Sequence, residues 1–320
     1  MSQLLSPAEQ LRLAKSPKAR TVRWIRKNWQ MITMIVIPFA YIFVFCYVPM
    51  YGAQIAFKDY KAADGIWGSQ WVGLKHFIAF FDSYLFWRVI RNTLVISFYS
   101  LLVGTPIPII LAIALNCAGS AKFRKTVQLV TYAPHFISTV VLIGMLTQLL
   151  SPKYGLINTI IVACGGKAID FMSRGRMFPH LYVWSGIWQS MGYSAIIYIS
   201  ALSGIDPSLH EAAIVDGAGR LKRIWHIDLP GIAPTIIILL IMSAGNLMNV
   251  SYEKVLLMQN STNTEYSEVI ATLVYKQGLT ASFPNYSYSS AIGLFNSAIN
   301  FILVILVNAV AKKFSGSSLW

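Results

Sequence analysis

The chain has 320 residues, 56% of them hydrophobic and 12% charged. Soluble domains carry about 25% charged residues, so this balance excludes an ordinary water-soluble globule and points to an all-α polytopic membrane protein. The net charge of +14 does not indicate nucleic acid: the basic residues stand in short clusters at the ends of apolar runs, where lipid headgroups and membrane orientation account for them.

Residues 1–30 form a basic tail. Its "SPAE" at 6–9 combines an N-cap, a first-turn proline and a capping-box Glu, which predicts a short surface helix. Trp24 and Trp29, set among arginines, suit an interfacial anchor. A spanning helix needs about 20 mainly apolar residues. Six segments qualify, at 31–50, 93–116, 127–150, 180–202, 235–257 and 289–311. The first, "MITMIVIPFAYIFVFCYVPM", has no charge, and it starts too late and runs too long for a cleaved signal peptide. Pro38, Pro106, Pro108 and Pro134 fall inside spans and predict packed, kinked helices. His135, after Pro134, is expected to pack or hydrogen-bond rather than bind a ligand. The fifth span is the weakest, since Asn246, Asn249, Tyr252 and Glu253 make its second half polar. Cys46, Cys117 and Cys164 form no C-x-x-C pair, and no His completes a metal site; no metal is expected.

Six spans place both termini on one side. If that side is the cytoplasm, fifteen of the 26 Lys and Arg lie inside, on the shorter segments: the tail, Lys122 to Lys125, Arg220 to Arg223, and the C-terminal residues 312–320. The positive-inside rule favours this orientation.

Between the fourth and fifth spans, in the loop 203–234, stands "EAAIVDGAGRLKRIWHIDLP" at 211–230. Asp206-Pro207 is an N-cap followed by a first-turn proline, and Ser208 with Glu211 fits a capping box in the alternative register. A helix is predicted from Pro207 to Val215, closed by Asp216-Gly217. A second short helix is predicted at 219–227, stopped by Leu229-Pro230. Helices this short are marginal alone in water, so the hairpin needs a surface to pack on. Ala212 and Ala213 permit close approach, and Glu211 places a charge near the helix start. The arrangement suits docking of a soluble partner.

The spacing of Glu211-Ala212-Ala213, Asp216-Gly217-Ala218 and Ile227-Asp228-Leu229-Pro230 resembles the EAA loop of ABC-importer permeases. "YVPMYGAQIAFKDYKAADGIWGSQWVGLKHF" (47–77), "SPKYGLIN" (151–158), "EVIATLVYKQGL" (268–279) and "YSYSSAIGLF" (286–295) are similar to the subfamily that imports oligosaccharides and polysaccharide fragments. The resemblance implies a type I importer permease fold in the bacterial cytoplasmic membrane. It implies one half of a permease heterodimer, working with two ATPase subunits and an extracytoplasmic solute-binding protein. It also implies that the first hairpin helix sits on the ATPase and passes its closure to the spans, giving alternating access.

No G-x-x-x-x-G-K-[ST] loop occurs; Gly165-Gly166-Lys167-Ala168 lacks the upstream glycine and the Ser/Thr. ATP and Mg are therefore expected on the partner ATPase. Neither a G-x-S-x-G elbow nor an H-E-x-x-H motif is present, so no catalytic residue is expected and the chain is read as a transport subunit rather than an enzyme. Sugar is usually held by amides, carboxylates and aromatic faces. On the fifth span Asn246, Asn249 and Glu253 share a helix face, as do Gln189 with Tyr193 on the fourth and Asn296 with Asn300 on the sixth. Polar groups at membrane depth face a cavity or glue helices together, and both roles stay open for these seven. Other solutes, and a secondary transporter without an ATPase, are the competing readings.

Overall fold

The computed structural model describes Thr21 and residues 24–315, with side chains as far as Lys313. The surface helix expected at 6–9 lies outside the described residues.

The first helix, α1, runs Trp29–Phe57. It contains a π-helical turn, Phe43–Tyr47, just ahead of Pro49. A proline ring clashes with the carbonyl four residues back, here Phe45, and the wider turn relieves that clash. None of residues 29–50 is buried. A two-residue antiparallel pair follows, β1 (Lys58–Asp59) and β2 (Gln70–Trp71), with Lys58 opposite Trp71. Ser287 ties this hairpin to the last helix: its Oγ donates to the Lys58 carbonyl at 2.6 Å and accepts the Tyr60 N–H at 2.9 Å.

Next come α2 (Lys75–Phe81) and the long α3 (Phe86–Asn116), which runs through Pro106 and Pro108 without a break. The expected third span is two helices, α4 (Ala121–Tyr132) and α5 (Thr139–Leu149), bent by 102°. Pro134 ends the first in a single 3₁₀ turn, Ile137 is extended, and the Ser138 hydroxyl accepts the Val141 N–H to start the second. A β-region residue followed by a Ser cap restarts a helix in a new direction. Then follow α6 (Leu156–Ala163), α7 (Phe178–Ser203), α8 (Pro207–Val215), α9 (Arg220–Ala244), α10 (Tyr252–Met258), α11 (Ile270–Tyr275) and α12 (Tyr286–Ser315).

Among the described residues, α1, α3, α9 and α12 are long and apolar enough to cross a membrane, and the bent α4–α5 pair makes a fifth. Six were expected. The remaining segment, α7, has 26 residues, about 39 Å of helix, ample for a core of about 30 Å. Its Trp, Tyr, Ser, Gln and His residues hold its apolarity down. It is also the best enclosed: α3, α4 and α9 pack around it, and Phe178, Val183, Ile187, Ala195, Tyr198 and Leu202 are all buried.

The fifth span is displaced from its expected place at 235–257. The helix begins fifteen residues earlier, at Arg220, and ends at Ala244. The second hairpin helix and the start of the span are therefore one element, so the loop expected at 203–234 is helical in its second half. Pro230 does not stop it. Its i−4 partner, His226, lies in a second π-helical turn, Ile224–Asp228, which accommodates the ring as the turn before Pro49 does.

Candidate functional site

The hairpin starts as its sequence suggests. Asp206 caps α8: its Oδ1 accepts the Ser208 N–H at 2.9 Å. That bond holds the exposed Asp206 carboxyl below the ordinary carboxylate range. The alternative cap on Ser208 is not used. At the other end the Ala218 N–H donates to the Ala213 carbonyl at 2.8 Å, and Gly217 takes φ +75°, the left-handed conformation that glycine adopts without a Cβ penalty.

No residue of α8 is buried. Glu211, Ala212, Asp216, Gly217 and Pro230 are exposed, while Ala213, Ala218, Ile227 and Leu229 are half-buried. Large apolar side chains also face outward: Val215 is 88% exposed, and Leu209, Ile214, Leu221 and Trp225 are all more than half exposed. A nine-residue helix with no residue fully buried is marginal by itself. What fixes it is its entry point. A Cβ on Gly231 of α9 would come within 2.6 Å of Ile205, so Ile205 lies flat on the helix backbone. Ile205 belongs to the cluster of Ile109, Ala112, Ala195, Tyr198, Leu202 and Ile232 that holds α3, α7 and α9 together at this end.

The second candidate region lies in the bundle. Asn246, Asn249 and Glu253 do not share a helix face, because the helix stops at Ala244. Gly245 caps it, and the N–H of Met248 is taken by a side chain of α12, Asn300 Oδ1, at 2.9 Å. Asn249, Asn296, Asn300 and Asn246 nonetheless converge. Asn249 Oδ1 accepts from Asn296 at 2.9 Å and from Asn300 at 3.1 Å, and its Nδ2 donates to Asn246 Oδ1 at 3.3 Å. Asn296 Oδ1 is buried without a hydrogen bond. Asn246 and Asn249 also line a cavity of 410 Å³ with Ser97, Thr105, Tyr182 and Ser194.

The other expected residues stand apart from this cluster. Glu253 is exposed in the first turn of α10. Gln189 donates to the Ile137 carbonyl at 2.7 Å, so it satisfies a backbone group released at the α4–α5 break. Tyr193 stacks on His135, with centroids 4.1 Å apart and planes within 1°. One residue is absent from the sequence reading. Lys254, 6% exposed, donates to the Tyr182 carbonyl at 2.8 Å and lies 4.6 Å from that ring's centre. Its neighbour Glu253 drew attention to the position, but nothing in the spacing says which of the two turns inward. Among the described residues, no three His, Cys, Asp or Glu side chains are grouped to hold a metal.

Residues 94–316 match the family described as "binding-protein-dependent transport system inner membrane component". The chain belongs to this family. The permease is 44% identical over 280 residues to the polygalacturonan/rhamnogalacturonan transport system permease protein YteP of Bacillus subtilis, covering 88% of this chain and 87% of that one. It is 29% identical over 248 residues to the arabinooligosaccharides transport system permease protein AraP of the same organism, covering 77% and 76%. Among solved structures it matches a chain of a bacterial ABC transporter that imports the acidic polysaccharide alginate. The TM-score is 0.85 at 35% identity, with 92% of this chain and 99% of that chain covered. That transporter is also known in complex with a periplasmic protein carrying an alginate pentasaccharide. The family is one of membrane transport components, and the permease fold reaches through α3 to α12.

Proposed function

We propose that the permease is one membrane subunit of an ATP-driven importer for oligosaccharide fragments of uronate-bearing polysaccharides. The alginate and polygalacturonan systems similar to it handle polymers of uronic acids, which supports that substrate class. A second permease pairs with it as a heterodimer. Two ATPase subunits hold the ATP and Mg, and an extracytoplasmic binding protein delivers the sugar. Both termini face the cytoplasm, as the Lys and Arg distribution favours, which sets α8 on the side of the ATPase.

The observation that carries this reading is α8 itself: nine residues, none buried, with E-A-A at its centre and Leu209, Ile214 and Val215 exposed. In this reading Glu211, Ala212, Ala213, Asp216, Gly217 and Ala218 form the face and turn that dock on the ATPase. Ile227, Leu229 and Pro230 carry the motion into α9. Asn246 and Asn249 contribute amide donors and acceptors to the sugar path, with Asn296 and Asn300 holding Asn249 in place. Gln189 and Tyr193 act as helix glue, and Glu253 lies outside the path.

Purification of the tagged chain from its native host, followed by uptake into vesicles, tests the proposal. A second permease and an ATPase co-purify, and oligogalacturonate or alginate oligosaccharide enters only with ATP and the binding protein. Gly217→Pro leaves the complex in the membrane and abolishes coupled uptake. A chain that purifies alone, or that transports without ATP, would make it a secondary transporter. Uptake of another solute in place of sugar would retire the substrate class alone.

A further inference from the structure

Besides the packing of Ile205 on Gly231 at its entry, motion of α8 has two ways to reach α9. One is the covalent turn at 216–219. It contains Gly217 at φ +75° and Gly219, and glycines flex more readily than any other residue, so a pull along this turn is absorbed in it. The other crosses space. His210 Nε2, on α8, lies 3.4 Å from Asp228 Oδ1, in the π-helical turn of α9. Asp228 is 2% exposed. Its Oδ1 makes no aligned hydrogen bond, and Arg223 Nε is likewise buried without a partner. These groups face a polar cavity of 330 Å³ closed by Asn116 and Cys117 at the end of α3 and by Arg220 and Ile224.

The charged and titratable side chains that line this cavity are Cys117, His210, Arg220, Arg223 and Asp228. A carboxylate withdrawn from water is tolerated where cations face it, and Arg220 and Arg223 line the same cavity. A separation of 3.4 Å exceeds that of a good N–H···O bond. The contact is therefore made without fixed hydrogen-bond geometry, and the cavity leaves both side chains room to follow a shift of the helices. The π-helical turn adds to this, since its wider winding is where α9 yields to Pro230.

We propose that His210 and Asp228 are positioning residues for transport. The pair ties α8 to the base of α9, so that displacement of α8 moves the span instead of bending the glycine turn. This rests on the reading of α8 as the helix that docks on the ATPase.

The test uses the assembled transporter in vesicles with its binding protein and oligogalacturonate or alginate oligosaccharide. Sugar imported and ATP hydrolysed are measured together. His210→Gln and Asp228→Asn each lower the sugar imported per ATP by at least about fivefold, the lower end of energetic coupling between sites. ATP turnover and the amount of assembled complex persist in both, and Asp228→Glu, which keeps the charge, retains the ratio. His210 is a quarter exposed, so His210→Gln assembles even if an Asp228 variant does not. An unchanged ratio in His210→Gln overturns the tie. So does a loss of import and ATP turnover in step with a loss of complex, which is a structural role. A wild-type complex that hydrolyses no ATP for sugar refutes the functional reading and the tie with it, whereas coupled wild type beside equally coupled variants refutes the tie alone.

Discussion

Gly192 sits where α7 crosses α4 with no side chain between them. A Cβ built on it would overlap the carbonyl group of Thr131 and crowd the Tyr132 nitrogen. Gly192→Ala therefore forces two helix backbones apart. The neighbours are backbone atoms rather than the end of a flexible side chain, so they yield only if a whole helix moves. Overpacking a well-filled contact costs about 1–3 kcal/mol, and replacing a helical glycine by alanine returns up to about 1 kcal/mol. The expected net loss is about 1–2 kcal/mol, or roughly 1.5–3 °C in the midpoint for a chain of this size. The same shift unseats Tyr193, next in sequence, from its stack on His135 and Tyr132. The assay is thermal loss of the monodisperse peak of the detergent-solubilised complex. Gly144→Ala is the control, because nothing lies within 4 Å of a Cβ there, and it leaves the midpoint unchanged or slightly raised. A Gly192→Ala protein as stable as the Gly144→Ala protein would refute the close crossing.

Three further outcomes follow from the geometry. Gln189→Leu frees the Ile137 carbonyl at the α4–α5 break and lowers stability by about 1–2 kcal/mol while leaving the transport KM alone, whereas Asn249→Ala raises KM; an unchanged KM in Asn249→Ala would make the amide cluster glue only. In the β1–β2 segment, the Lys75 ammonium, 2.6 Å from Asp59, holds that carboxyl below the ordinary carboxylate range, with His76 assisting at 3.0 Å. A lowered folded value means that the contribution is complete above the unfolded value of about 3.9 and is lost as pH falls through the folded one. Hydrogen-exchange protection at 58–71 therefore stays flat from about pH 7 to pH 5 and declines below about pH 4; a decline already under way near pH 6 would refute the assignment to Asp59.

The local signals that were legible are those written in neighbouring residues. Asp206-Pro207 starts α8 and Asp216-Gly217 ends it, as cap chemistry dictates. The apolar runs mark α1, α3 and α12 because hydropathy needs no knowledge of neighbours. What was not legible depends on partners distant in the chain. Pro230 reads as a helix stop, yet a π-helical turn carries the helix through it. Gly245-Asn246 ends α9 because Asn300, 52 residues away by way of Met248, supplies the acceptor that the helix gives up; an apolarity window passes straight over that stop. The four asparagines were found by type, but their meeting at Asn249 rests on a turn rather than on the helix face that their spacing suggested. His210 lies outside the motif and Asp228 at its variable position, and only the fold sets them face to face.

The least oily of the long helices, α7, is also the one its neighbours enclose most fully, and this bears on how the chain enters the membrane. Helices such as α3 and α9 partition into lipid on their own account. With its exposed polar and aromatic groups, α7 gains much less from lipid alone and is retained by company. One of its three walls, α9, is encoded after it. Synthesis must therefore reach Ala244 before α7 is shut in, and until then the membrane holds a half-built pocket open to whatever assists insertion.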